Sequence, residues 1–149
     1  MARWSKQQAK DWYLDQPWLV GCNFLPSTAI NQLEMFQQDT YDRQTIEREI
    51  KWARSLGFNS LRIYLHDLLW CEDPKGFCGR LDDLLNICDK HFIRPILVLF
   101  DDCHRPYPKL GKQPLPVSGV HNSGWKQSPG VELVHAIHAD TASEEVFRL

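Results

Sequence analysis

Hydrophobic residues in this chain fall into short apolar runs alternating with segments of helical spacing. Trp18-Leu19-Val20-Gly21-Cys22-Asn23-Phe24-Leu25 is apolar, ends at Pro26-Ser27 and predicts a first strand. The Gln- and Asn-rich stretch that follows, as far as Tyr41, reads as a loop. Asp42 then offers an N-cap, and Ile46, Ile50, Ala53 and Leu56 share one helical face, with Gly57 as the stop. From Phe58 to His66 the period becomes two. Leu61, Ile63 and Leu65 point one way and Arg62, Tyr64 and His66 the other, which predicts a second strand occupied on both faces. Asp73-Pro74 gives a cap and a proline at the first helical position. Phe77, Leu81, Leu84, Leu85 and Cys88 form the stripe of a second helix, which closes near Lys90-His91. Ile93 to Phe100 is an apolar run of the kind buried on both faces of a parallel sheet.

The order β-α-β-α-β predicts an α/β protein with a parallel sheet and right-handed crossovers. Ligand sites in such sheets lie at the carboxyl ends of the strands. Here those ends carry Asn23 to Ser27, His66-Asp67 with Trp70, and Asp101 to His104, whereas the helix-to-strand connections are short and plain. From Asp102 to Gly130 the chain is a long loop punctuated by Pro and Gly. A loop of that length in a compact domain is usually a functional lid or binding loop, and this one carries His121-Asn122-Ser123-Gly124-Trp125. Val131 to Leu149 offers a weak helical pattern through Leu133, Val134 and Ile137.

The length of 149 residues suits one domain. A net charge of −2 gives no basic footprint for nucleic acid or an anionic membrane. The N-terminus has no apolar signal segment and no run is long enough to span a bilayer. The five cysteines are odd in number and irregularly spaced, so free thiols in a cytoplasmic protein are expected. Phosphate-cradling glycine motifs and a Gly-x-Ser-x-Gly elbow are absent, and no cofactor is expected. His135 with His138, and Cys103 with His104, are too few at each place to make a zinc ligand set, so no metal is expected.

Arg62 is the sharpest feature. A guanidinium on the inner face of a central strand needs carboxylates or ligand oxygens beside it. Two readings stand: a structural ion pair with a strand-end acid such as Asp101, or an arginine that positions a catalytic carboxylate and keeps it ionised. Trp70, Trp125 and Tyr64 near the same face could stack on sugar rings or simply anchor core and loops. Of the nearby acids, Asp73 is explained as a helix cap.

Three segments carry a resemblance. Trp18 to Phe36 (WLVGCNFLPSTAINQLEMF), Leu56 to Trp70 (LGFNSLRIYLHDLLW) and Ile93 to Cys103 (IRPILVLFDDC) resemble the first three strands of TIM-barrel glycoside hydrolases. The loop segments Pro108 to Pro114 and Gly119 to Gly130 resemble the loop that follows. The group is the retaining clan related to the cellulase and mannanase family, including xylanase-like glycosidases. The resemblance implies the first three β/α units of a (β/α)8 barrel and hydrolysis of β-linked O-glycosidic bonds. It implies that Arg62 supports the nucleophile, and that Asn23, His66, Asp67, Trp70, Asp101, His121, Asn122 and Trp125 lie around a carbohydrate cleft. The retaining mechanism needs two carboxylates about 5–5.5 Å apart. In the family the acid/base glutamate follows an Asn, yet every Asn here precedes another residue: Asn23-Phe, Asn31-Gln, Asn59-Ser, Asn86-Ile and Asn122-Ser. Residues 131–149 do not match the family either. The expectation is therefore a truncated or frameshifted hydrolase domain that is inactive alone and associates with itself through open barrel edges. The alternative is a small non-catalytic α/β module that binds carbohydrate or another ligand.

Overall fold

The computed structural model describes residues 3–139. Helix α1 (Lys6–Leu14) precedes β1 (Gly21–Asn23), and α2 (Gln32–Phe36) and α3 (Arg43–Ser55) lead into β2 (Ser60–Tyr64). Helices α4 (Asp67–Glu72) and α5 (Pro74–Lys90) connect to β3 (Arg94–Val98), and α6 (Val131–His138) follows the long loop. The strands form one parallel sheet in the order β1-β2-β3, so the α/β class expected from the pattern is observed.

Asn59 sets the register. Its side chain accepts from Val20 N at 2.7 Å and donates to Trp18 O at 2.8 Å. Its backbone N–H donates to Val20 O at 2.9 Å and its carbonyl accepts from Arg94 N at 2.8 Å. One residue thus ties the starts of all three strands together. At Gly21 the β1 backbone comes so close to β2 that an added Cβ would lie 1.9 Å from Ser60 O, so only glycine fits.

The two long helices match the sequence pattern because their signals are local. Asp42 caps α3 by accepting from Thr45 N at 3.1 Å, and Gly57 stops it at φ 92°. Asp73 caps α5 by accepting from Gly76 N at 2.9 Å, with Pro74 at the first position. Ile46 and Ile50 of α3 join Leu84, Ile87 and Cys88 of α5 against Leu61 and Ile63 of β2, all of them buried. Burial raises the Cys88 thiol to about 11, and all five cysteines are free.

Three expectations need correction. The segment after Pro26 is no simple loop: it contains α2, whose Leu33, Met35 and Phe36 are buried in the core. Five residues are too few for helical periodicity to register. Helices α1 and α4 were also unforeseen, and α4 follows β2 directly with His66 as its N-cap. Finally, β3 is not covered on both faces: Ile96 is 48% exposed, and Leu99 and Phe100 beyond it are more than half exposed. Helices pack on one face of the sheet, and no described element covers the other. Of the helical pattern expected over 131–149, α6 covers Val131–His138, and residues 140–149 lie outside the described residues.

The loop between β3 and α6 is held down by amides. Asn31 Nδ2 donates to Gln113 Oε1 and Gly124 O, both at 2.9 Å, while its Oδ1 caps α2 by accepting from Leu33 N and Glu34 N at 3.1 Å. Gln32 Nε2 donates to Lys126 O at 2.5 Å, and Gln37 and Gly111 exchange two bonds of 2.6 and 3.2 Å. Asn31 and Gln32 are fully buried. Asn31→Ala removes the cap and leaves buried groups unpaired, and is expected to cost about 2–4 kcal/mol in urea unfolding. The same variant opens the loop to trypsin at Lys109, Lys112 and Lys126. Asn31→Asp keeps the cap and is expected to lose stability chiefly through the missing amide donors.

Candidate functional site

The carboxyl ends of β2 and β3 meet the returning loop around Ser128. Ser128 N donates to Asp101 O at 2.7 Å and Asp101 N donates to Ser128 O at 2.6 Å, an antiparallel bridge that closes the loop onto the end of the β3 segment. The Ser128 hydroxyl donates to Asp67 Oδ1 at 2.9 Å and accepts from Asp67 N at 3.1 Å. Asp67 pairs in turn with His66, whose Nδ1 lies 2.9 Å from Asp67 Oδ1 and 3.2 Å from Leu68 N. A single ring nitrogen cannot both accept from an amide and donate to a carboxylate. The shorter, charge-assisted contact places the proton on Nδ1, leaving Nε2 as a buried acceptor with no hydrogen-bond partner.

Burial alone would push the Asp67 carboxyl upward. The hydrogen bonds from His66 and Ser128 outweigh it and hold the group below its ordinary value. His66 and Asp67, expected around an open cleft, are both buried and satisfy each other and the loop. Trp70 sits half-buried on α4 against the core, in the anchoring role.

Arg62 departs from its expected setting. It is exposed, and its guanidinium carbon lies 4.7 Å from the centre of the Tyr64 ring. The carboxylate nominated for it, Asp101, pairs with His104 instead. With that face of the sheet uncovered, the guanidinium stays hydrated and rests on the aromatic face, so it needs no buried counter-charge. Asn23 pairs in register with Arg62, and the two line an open depression of about 260 Å³ with Ser60, Cys22 and Ile96.

Tyr64 extends the row into the loop. Trp125 meets it edge-on at 5.0 Å between ring centres, and His104 stacks on Trp125 at 5.6 Å. The result is a continuous line, Arg62–Tyr64–Trp125–His104, across the ends of β2 and the β3 loop. His121 and Asn122 are exposed on the rim of a cavity of about 550 Å³ that Cys103 and His104 also line. Of the residues singled out in the sequence, Asn23, Arg62, Asp101, His121, Asn122 and Trp125 therefore border this surface. Tyr64, noted in the sequence as a possible stacking ring, and His104, one of the strand-end residues, join them; Ser128 is an addition. Asp101-x-Cys103-His104 just past a strand was a readable sign for His104, whereas nothing local marks Ser128.

The same loop brings Asp101, Cys103 and His104 within ligand distance of one another. Burial pushes the Asp101 carboxyl up, but hydrogen bonds from Cys103 and His104 leave it below its ordinary value. Cys103 is held above its own, first by its hydrogen bond to Asp101. Sequence spacing offered two donors here and so argued against a metal; the fold supplies a third.

Because the folded Asp67 carboxyl is depressed, its contribution to stability is complete above about pH 4 and lost as pH falls through the depressed folded value. Asp67→Asn is expected to flatten the acid limb of the stability profile, measured by denaturant unfolding from neutral pH down through the carboxylate range. An unchanged acid limb would contradict the assigned role of the His66–Asp67–Ser128 cluster. Comparison of the chain with protein-family models, with curated proteins and with solved structures gives no match.

Proposed function

We propose that this chain presents the sugar-contacting surface of a glycoside hydrolase-like (β/α)8 barrel, three of whose β/α units it supplies, and that it binds carbohydrate without hydrolysing it. The observation that carries the reading is the Arg62–Tyr64–Trp125 row at the carboxyl ends of parallel strands. Ring faces there suit the C–H faces of a pyranose, and Arg62, Asn23 and Asn122 are placed to bind hydroxyls. Retaining hydrolysis of a β-linked glycan further requires an acid/base and a nucleophile. The 149 residues contain no Asn-Glu pair to provide the first.

Xylo-, cello- and manno-oligosaccharides titrated into the purified chain are expected to perturb tryptophan fluorescence saturably. Trp125→Ala should weaken that binding by about tenfold, the loss of roughly 1.4 kcal/mol of stacking. No turnover of aryl β-glycosides is expected. Measurable turnover overturns the non-hydrolysing reading, and absence of binding to all three glycans overturns the carbohydrate reading.

A second reading, a self-contained α/β binding module, is favoured by the buried amides that fasten the loop to α2. The two differ in association. β1 and β3 are both sheet edges, Ile96 is exposed on the uncovered face beside Leu19, and Leu99 and Phe100 just past β3 are exposed as well. On the barrel-derived reading, light scattering across a concentration series shows a mass above the monomer, and Ile96→Glu shifts it down. A monomer that unfolds cooperatively at every concentration favours the module.

A further inference from the structure

We propose that Asp101, Cys103 and His104 form a Zn2+ site, an inference independent of the carbohydrate reading. The Cys103 sulfur lies 3.0 Å from Asp101 Oδ1 and 3.8 Å from His104 Nδ1, and His104 Nδ1 contacts Asp101 Oδ2. Zinc bonds of about 2.3 Å to sulfur and about 2.0–2.1 Å to nitrogen or oxygen set tetrahedral ligands roughly 3.5 Å apart. The two sulfur distances bracket that value, and the touching imidazole and carboxylate must part to it, an adjustment of side chains, to admit the ion. A turn stabilised by Asp101 requires only its bond from Cys103 N, at 3.3 Å. It does not require a thiol and an imidazole to converge on the same carboxylate.

The donors are also held from behind. Asp101 is pinned by its two backbone bonds to Ser128, His104 is stacked on Trp125, and Arg105 Nε donates to Ser123 O at 2.7 Å. On the open side Cys103 is exposed, and the cavity it lines with His104 also carries His121 on its rim. Thiolate, imidazole and carboxylate together suit Zn2+ and its spectroscopic stand-in Co2+, whereas Mg2+ and Ca2+ prefer oxygen alone. On binding, the Cys103 thiol releases its proton to solvent, and His104 presents the Nδ1 lone pair with its proton on Nε2.

The test is titration of the reduced full chain with Co2+, followed by displacement with Zn2+. A thiolate-to-Co2+ charge-transfer band that saturates at one equivalent, accompanied by intense tetrahedral d–d bands, is expected. Cys103→Ser should abolish the charge-transfer band, and His104→Ala should weaken binding by at least about tenfold. The triple variant Cys22→Ser, Cys71→Ser, Cys78→Ser should leave the spectrum intact. Far-ultraviolet circular dichroism checks that each variant folds, and Cys103 is exposed enough to be changed without repacking. The proposal is overturned by the absence of saturable binding, by a band that survives Cys103→Ser, or by one lost in the triple variant.

Discussion

Everything at the carboxyl ends of the strands depends on the buried amide of Asn31. It stands at the first residue of a two-way junction, capping α2 with its oxygen and gripping the β3–α6 loop with its nitrogen. A loop rich in Pro and Gly has few side chains to bury and much backbone to satisfy. Here the amides of Asn31, Gln32, Gln37 and Gln113 take up that backbone, in positions where water cannot compete. They set the course of the loop that brings Trp125 and Ser128 to their partners over the sheet.

Ser128 converts that loop placement into a site. Through its backbone it joins Asp101 and through its hydroxyl it joins Asp67, so the ends of two adjacent strand segments are tied by one residue. His66 and Asp67 are spent on this internal bonding, which leaves the exterior to Arg62, Tyr64, Trp125 and His104. The division follows burial: carboxylate and imidazole inside, each satisfied by a neighbour, and guanidinium and rings outside, where hydration and stacking suffice.

The uncovered face of the sheet gives this chain its second character. In β2 Leu61 and Ile63 lie against the helices and Arg62 is exposed on the opposite side, where Tyr64 is buried beneath Trp125 and His104 of the loop. In β3 the same alternation sends Ile96 into the open. A strand read as apolar throughout can be covered twice or once, and the count of covers is a property of the neighbours. That is why the continuous run from Ile93 misled; the alternating run from Phe58 gave the strand and the buried side of Leu61, Ile63 and Leu65, but not the exposure of Arg62 on a face expected to be occupied, nor the burial of His66.

The sequence by itself determined the α/β class, the two long helices and the three strands, because caps, stops and periodicities act over a few residues. Asp42 with Gly57 and Asp73 with Pro74 marked the helix ends to the residue. It also brought Arg62, Asp101, His121, Asn122 and Trp125 to notice through residue type and position after a strand. Only the tertiary structure decided who meets whom. Arg62 lies on Tyr64 rather than beside Asp101, His66 and Asp67 are interior, and Asp101, Cys103 and His104 converge. Those outcomes rest on bonds between residues as far apart as Asn31 and Gly124 or Asp67 and Ser128, and contacts across such separations leave no periodic trace along the chain.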